Sequence, residues 1–136
     1  MENNTLPQLM AAAPASGSGK TTVACALLRA LRRRGLNPCA FKCGPDYIDP
    51  MFHRAALEVP SCNLDLYLTP PERLRQLYSA HLAGHGAAVV EAAMGYYDGA
   101  GLTDAASGWQ TADVLGLPVL LVVRPGGASL TLAAQI

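Results

Sequence analysis

The chain has 136 residues, 51% hydrophobic and 15% charged, which suits one domain with a real core and excludes a disordered tail. Ten basic and ten acidic residues cancel to a formal net charge of +0. That balance argues against a nucleic-acid or anionic-membrane partner, since either would need clustered excess Lys and Arg. The longest apolar stretch, Val114 to Val123, is far short of a membrane span, and the polar start Met1-Glu2-Asn3-Asn4 is not a secretory signal. Four cysteines without a CxxC pair fit a reduced, cytoplasmic protein.

In chain order, Leu9 to Ala13 is a weak strand candidate that runs into a loop rich in Gly and Ser. From Lys20 to Arg34 the residues Val23, Leu27, Leu28 and Leu31 recur at helical spacing, and Arg32 to Arg34 close the helix before Gly35. Pro38 to Cys43 reads as a second strand, followed by a loop through Gly44-Pro45-Asp46-Tyr47 and a short helix expected after Pro50. Thr69 and Glu72 suggest a capping box with Pro70 at the first helical position. Leu74, Leu77, Tyr78, His81 and Leu82 then share one face until about Gly84. Ala87 to Glu91 reads as a buried strand, Thr103 to Leu115 as a helix, and Pro118 to Val123 as an apolar strand. Ala128 to Ile136 resembles the first turns of another helix with nothing to stop it. The alternation predicts an α/β fold with a parallel sheet and helices on both faces. Four strands are expected, and the chain reads as part of a longer protein.

The most informative stretch runs from Ala13 to Thr22. Its glycines let backbone N–H groups turn inward around phosphate oxygens, and the helix from Lys20 adds its positive dipole end. Ser16, Gly17, Ser18, Gly19, Lys20, Thr21 and Thr22 form this candidate cradle. Lys20 is placed to reach the outer phosphates, and the Thr21 hydroxyl to ligate Mg2+. Pro14 stands where the strict GxxxxGK[ST] pattern has its first glycine.

A nucleotide site also needs carboxylates. Glu91 ends an apolar run at the carboxyl edge of a predicted inner strand, where ligands bind in open α/β sheets. Buried there it must be paired or bind metal; its alternative is a strand end emerging into solvent. Asp46 and Asp49, beside Lys42, lie in a loop leaving the same edge, with ordinary turn chemistry as the alternative. Asp98 sits in a second loop, Gly95 to Gly99, under the same choice. His81 and His85 lie four apart without an evident third ligand, and no cysteine has a partner base that would make it a nucleophile.

Together these blocks resemble the N-terminal synthetase domain of the cobyrinate a,c-diamide synthase family, amidating enzymes of cobalamin biosynthesis, from Met10 to Ile136. The marks are Ala15 to Thr22, Phe41 to Pro50, Asn63-Leu64-Asp65, Glu91, and Met94 to Gly99. Ala13, Cys62, Ala92 and Arg124-Pro125 depart from the family's usual residues. The resemblance implies a P-loop NTPase-like, dethiobiotin-synthetase-like fold and ATP-dependent amidation of the a- and c-acetates of cobyrinate through an acyl phosphate. It implies Mg2+ on Thr21, Asp46 and Glu91. Lys20 and Lys42 would face phosphate or substrate charge, while Asp49 and Asp98 would help place the corrinoid and the incoming amine. Residues 1–136 would then be the first part of the synthetase domain. The family's C-terminal glutaminase domain, which releases ammonia from glutamine, would lie outside this chain. The expected partners are ATP, the corrinoid and ammonia, with a homodimer compatible and neither nucleic acid nor membrane expected. Alternatives are hydrogenobyrinate or nickel sirohydrochlorin as acceptor, a switch ATPase of the ParA/Mrp type, or an inactive fragment. The switch class usually carries a second loop lysine, and Ala15, Ser16 and Ser18 offer none.

Overall fold

The computed structural model describes residues 6–134 and 136; the polar start at residues 1–4 and Gln135 of the expected last helix lie outside them. Five strands form one sheet in the order β3-β2-β4-β1-β5, every neighbouring pair parallel. They are β1 (Gln8–Ala12), β2 (Pro38–Cys43), β3 (Ser61–Leu64), β4 (Ala87–Glu91) and β5 (Val119–Leu121). Helices α1 (Lys20–Arg33), α2 (Ile48–Ala56), α3 (Pro71–Leu82) and α4 (Gly108–Leu115) supply the crossovers.

Alternation along the inner strands divides the core in two. Met10, Phe41, Val90 and Leu64 meet Leu74, Tyr78 and Ala112 of α3 and α4 on one face. Ala11, Ala40 and Val89 meet Ala24 and Leu28 of α1 and Leu57 beyond α2 on the other. The parallel sheet is therefore covered on both faces, as the sequence pattern anticipates.

The structure corrects several sequence-based boundaries. A fifth strand, β3, was not expected: it is four residues long and carries polar Ser61 and Asn63. Helix α2 starts at Ile48, before Pro50. The Asp46 Oδ1 accepts from Ile48 N at 2.8 Å and Asp49 N at 3.3 Å, and Pro50 falls in the first turn, where a missing N–H costs little. The expected capping box at Thr69 does not form: Pro70 is the N-cap and Pro71 the first helical residue, with no side-chain cap. A residue before proline is driven out of the helical region, so Pro70 sits at ψ 150. Glu72 cannot reach back to an N-cap N–H, because Pro70 has none.

Leu77 faces solvent rather than the core. Helix α4 begins at Gly108, not Thr103, because the Ser107 Oγ caps it by accepting from Gln110 N at 3.2 Å. β5 spans only Val119–Leu121 and lies at the sheet edge with all three residues exposed. In place of the expected α-helical turns, Leu130–Ala134 forms a 3-10 helix. No helix among the described residues is long and apolar enough to cross a membrane.

Candidate active site

The site follows from register. Lys42 of β2 stands opposite Glu91 of β4, and Ala11 of β1 opposite the same Glu91. Lys42 and Glu91 follow Ala40 and Val89 by two residues, so their side chains point to the face covered by α1 and α2. Both lie at carboxyl ends of inner strands, and both are buried: Lys42 is 6% and Glu91 1% exposed. A buried charge persists only when paired, and each finds partners on the overlying helices.

Lys42 Nζ lies 2.9 Å from Glu91 Oε1, 2.6 Å from Asp49 Oδ2 and 3.8 Å from Asp46 Oδ2. Thr21, at the start of α1, donates its hydroxyl to the same Glu91 Oε1 at 2.5 Å. Burial pulls the Lys42 ammonium down, but hydrogen bonds and charge from Asp49 and Glu91 outweigh it and hold it above its ordinary value. Glu91 Oε2 is buried without a hydrogen-bond partner among the described residues. An acceptor left without a partner among the described residues suits a hard cation.

The phosphate loop spans the gap between β1 and α1. Gly17 and Gly19 take φ +76 and +100, conformations that L side chains avoid. Gly19 is the N-cap of α1, no side chain caps that end, and its first turn holds no acid. Free N–H groups and a positive dipole end therefore face outward, as anion binding requires. Lys20 Nζ donates to Met94 O at 2.6 Å and to Ala15 O at 3.4 Å. Its ammonium is shifted down by burial and by the neighbouring Lys42 charge.

Ser16, Gly17, Gly19, Lys20, Thr21 and Thr22 line a cleft of about 300 Å³ whose floor includes Lys42 and Glu91. Ser18 instead turns its hydroxyl to Ala15 O at 2.9 Å and stiffens the loop. Met94 also borders a second cleft of about 530 Å³, lined by Gly44, Pro45, Tyr67, Leu68 and Asp98.

Of the sequence-predicted site residues, the structure brings together Lys20, Thr21, Lys42, Asp46, Asp49 and Glu91. Asp98 stands apart from that cluster: its Oδ2 accepts from Gly95 N at 2.8 Å in its own loop, and it borders the second cleft. Among the described residues no three His, Cys, Asp or Glu side chains are grouped to hold a metal by themselves. A magnesium ion shared with phosphates needs only one or two carboxylates, so Glu91 with Thr21 and Asp46 fits that role. The rings of His81 and His85 lie 6.1 Å apart, with no third ligand among the described residues. Burial pushes the Cys43 thiol up to about 12, the opposite of an activated nucleophile.

Three further contributors had no role assigned from the sequence: His53 was not singled out at all, and Asn63 and Met94 entered only as marks of the resemblance. His53, 1% exposed, places Nδ1 3.0 Å from Ser61 Oγ. Asn63 donates to the carbonyls of Gly44 and Asp46 at 2.7 Å each. Met94 contributes a carbonyl rather than a side chain. For Asn63 the available signal was Pro60 before a short run and an Asx turn after it, where Asp65 Oδ1 accepts from Tyr67 N at 2.8 Å. A main-chain contact such as that of Met94 leaves no compositional trace. Ala92, where the resembled family usually has glycine, is buried, and its Cβ is 2.8 Å from where a side chain on Gly108 would begin. It therefore packs beneath α4.

The family model for the CobQ/CobB/MinD/ParA nucleotide binding domain matches residues 9–121. Among curated proteins, the cobyrinate a,c-diamide synthase of Gloeobacter violaceus is 48% identical over 129 residues, covering 94% of this chain and 28% of that protein. The hydrogenobyrinate a,c-diamide synthase of Streptomyces coelicolor is 47% identical over 134 residues, covering 98% of the chain and 28% of its own length. That of Thermoplasma volcanium, a cobyrinate a,c-diamide synthase, is 40% identical over 131 residues, with 96% and 29% covered. The chain thus spans under a third of the length of these relatives.

Proposed function

The chain belongs to the CobQ/CobB/MinD/ParA nucleotide binding domain family, and from that premise we propose that it is the ATP-binding part of an amidoligase of cobalamin biosynthesis. The substrate is cobyrinate, amidated at its a- and c-acetate carboxylates. A carboxylate oxygen attacks the γ-phosphorus of ATP, the bond to the bridging oxygen breaks, and ADP leaves. Ammonia then attacks the acyl carbon, loses a proton and expels inorganic phosphate, leaving an amide. The ammonia comes from glutamine, hydrolysed by a domain elsewhere in the full protein. A cytoplasmic homodimer working on small molecules is the assembly this reading expects.

The observation that carries the reading is the joint placement of Glu91, Thr21 and Lys42 on the floor of the phosphate-loop cleft. Loop amides from Ser16 to Thr22 and the α1 dipole would cradle the triphosphate. Lys20, released from Met94 O, would face the transferred phosphoryl group. Thr21, Asp46 and Glu91 would hold magnesium, which would supply positive charge beside the phosphate oxygens. Lys42 holds its proton because Asp49 and Glu91 flank it, so it offers a permanent cation to phosphate or to the substrate carboxylate. Fixed charges of this kind, arranged before the reaction, lower the barrier to phosphoryl transfer. The larger adjoining cleft, with Tyr67, Leu68 and Met94, suits the apolar body of a macrocycle, while Asp98 on its rim would help orient the amine.

The similar identities to the Gloeobacter cobyrinate enzyme and the Streptomyces hydrogenobyrinate enzyme, 48% and 47%, favour hydrogenobyrinate as the second reading. The deciding experiment offers both macrocycles to the full-length protein with MgATP and glutamine. Mass spectrometry should find one or two hydroxyl-to-amine exchanges on one of them, abolished by Lys20→Ala or Glu91→Gln. Amidation that survives both substitutions would refute the mechanism.

A further inference from the structure

Asn63 of β3 stands directly opposite Lys42 of β2 in the sheet register. It is half-buried, and its Nδ2 donates two hydrogen bonds, each 2.7 Å long, to Gly44 O and Asp46 O. An asparagine amide has two N–H donors, and here both go to the main chain of a single turn. The same turn is tied again where Gly44 N donates to Leu64 O at 2.9 Å. Gly44 itself takes φ +77, so the chain leaving β2 is folded sharply across the edge of β3.

Asp46 stands on the far side of that turn and divides its carboxylate. Oδ1 caps α2 through Ile48 N and Asp49 N at 2.8 and 3.3 Å, while Oδ2 faces Lys42 Nζ at 3.8 Å. With Oδ1 so engaged, the direction of Oδ2 is set by the plane of the Asp46 backbone. Asn63 holds that plane by its carbonyl oxygen.

We propose that Asn63 is a positioning residue for the divalent cation: by clamping the Gly44 and Asp46 carbonyls it aims the Asp46 carboxylate at the space beside Lys42 and Glu91. The inference rests on reading Asp46 as a magnesium ligand. Outer partners of metal ligands typically set affinity or activity by about 10- to 100-fold, and a carboxylate on an exposed turn is the ligand most in need of such support.

The test is a calorimetric titration of magnesium into the full-length protein in the presence of a non-hydrolysable ATP analogue. Asn63→Ala should weaken magnesium by about 10- to 100-fold, while affinity for the analogue in EDTA stays at the wild-type value. Asn63→Ala added to Asp46→Asn should cause no further loss, because residues acting through one another are not additive. Full additivity of the two losses, or wild-type magnesium affinity in Asn63→Ala, overturns the proposal. If Asp46→Asn alone binds magnesium normally, the ligand reading of Asp46 falls and takes this inference with it. Additive losses with a weakened Asp46→Asn remove only the role of Asn63. Should thermal unfolding show that Asn63→Ala does not fold, Asn63→Ser decides: it retains one donor, so an intermediate loss supports the proposal and unchanged affinity overturns it.

Discussion

The two loops that enclose the site are built on opposite plans. The connection from β2 to α2 is short and held from outside: Asn63 and Leu64 of β3 grip its turn, and its own Asp46 caps the helix that follows. The connection from β4 to α4, residues 92–107, is long and held mainly by itself. Asp98 bonds Gly95 N, Gly99 N donates to Thr103 O at 2.9 Å, and Ala100 N to Ala105 O at 2.7 Å. It also contains two non-glycine residues at positive φ, Met94 at +53 and Ala106 at +59. The short loop delivers charged side chains to a buried cluster, where a small displacement would leave a charge unpaired. The long loop delivers a carbonyl to Lys20 and exposed apolar side chains to the adjoining cleft. Charge demands an externally braced backbone; adaptable apolar contact does not.

The largest expected effect breaks the braced side. Lys42→Met removes the cation shared by Glu91 and Asp49 and leaves a buried carboxylate uncompensated. Losses of about 3–5 kcal/mol are usual for such a change, and denaturant unfolding of the protein should report them. Asp98→Asn in the self-held loop should cost far less, because Asp98 is exposed; equal losses would erase the contrast between the loops.

Gly95→Ala is next and strikes where the long loop meets the phosphate loop. A Cβ there would sit 2.6 Å from Pro14 O and also against the Asp98 carboxylate. Pro14 opens the phosphate loop, so backbone must move. A shift of about 1 Å at a positioning element can cost about 100-fold, and a nucleotide titration should show a loss of that order. Unchanged affinity would mean that the two loops move independently.

The pH response separates the same regions more gently. Burial lowers the folded pKa of His53 and His81 below 6.5, with the Glu91 and Asp49 charges partly opposing it at His53 and the His85 charge adding to it at His81. The unfolded chain therefore binds more protons as pH falls through 6.5, and stability is lost from there down to the folded pKa values. Each histidine contributes at most about 1.4 kcal/mol per pH unit in that window. Lys42 behaves in the opposite sense: its folded pKa is raised, so its contribution is whole below 10.5 and lost as pH rises through the folded value. Unfolding midpoints measured against pH should fall below about pH 6.5, and His53→Asn should flatten that decline.

Most of the site was legible because its signals are local. The phosphate loop is a contiguous string between a strand and a helix, and Glu91 stands out as an acid closing an apolar run. The parallel sheet was legible from alternation. What stayed hidden depends on partners distant in sequence. β3 is too short and too polar at Ser61 and Asn63 to announce itself. The role of Asn63 appears only when β3 lies beside β2, and the pairing of Lys42 with Glu91 only from the register of β2 on β4. The start of α3 was misplaced for a local reason, since Pro71 controls the conformation of Pro70 more strongly than Thr69 and Glu72 favour a capping box.

Met94→Gly should have the smallest effect and sharpens the comparison most. Met94 sits at φ +53 and is 56% exposed, so little packing is lost with the thioether. A left-handed conformation costs an L-residue roughly 1–2 kcal/mol, while glycine loses about 0.4–1 kcal/mol through the greater freedom of its unfolded state. The net expectation is a gain between zero and about 1.6 kcal/mol in denaturant unfolding. The bond from Lys20 to Met94 O involves only main chain on the loop side, so it survives the substitution. If the strain serves the site, the stabilised variant should nevertheless bind nucleotide more weakly, because a relaxed loop no longer holds Gly95 against Pro14 of the phosphate loop. A variant that gains stability and keeps its affinity would show that the long loop's strain is incidental to nucleotide binding.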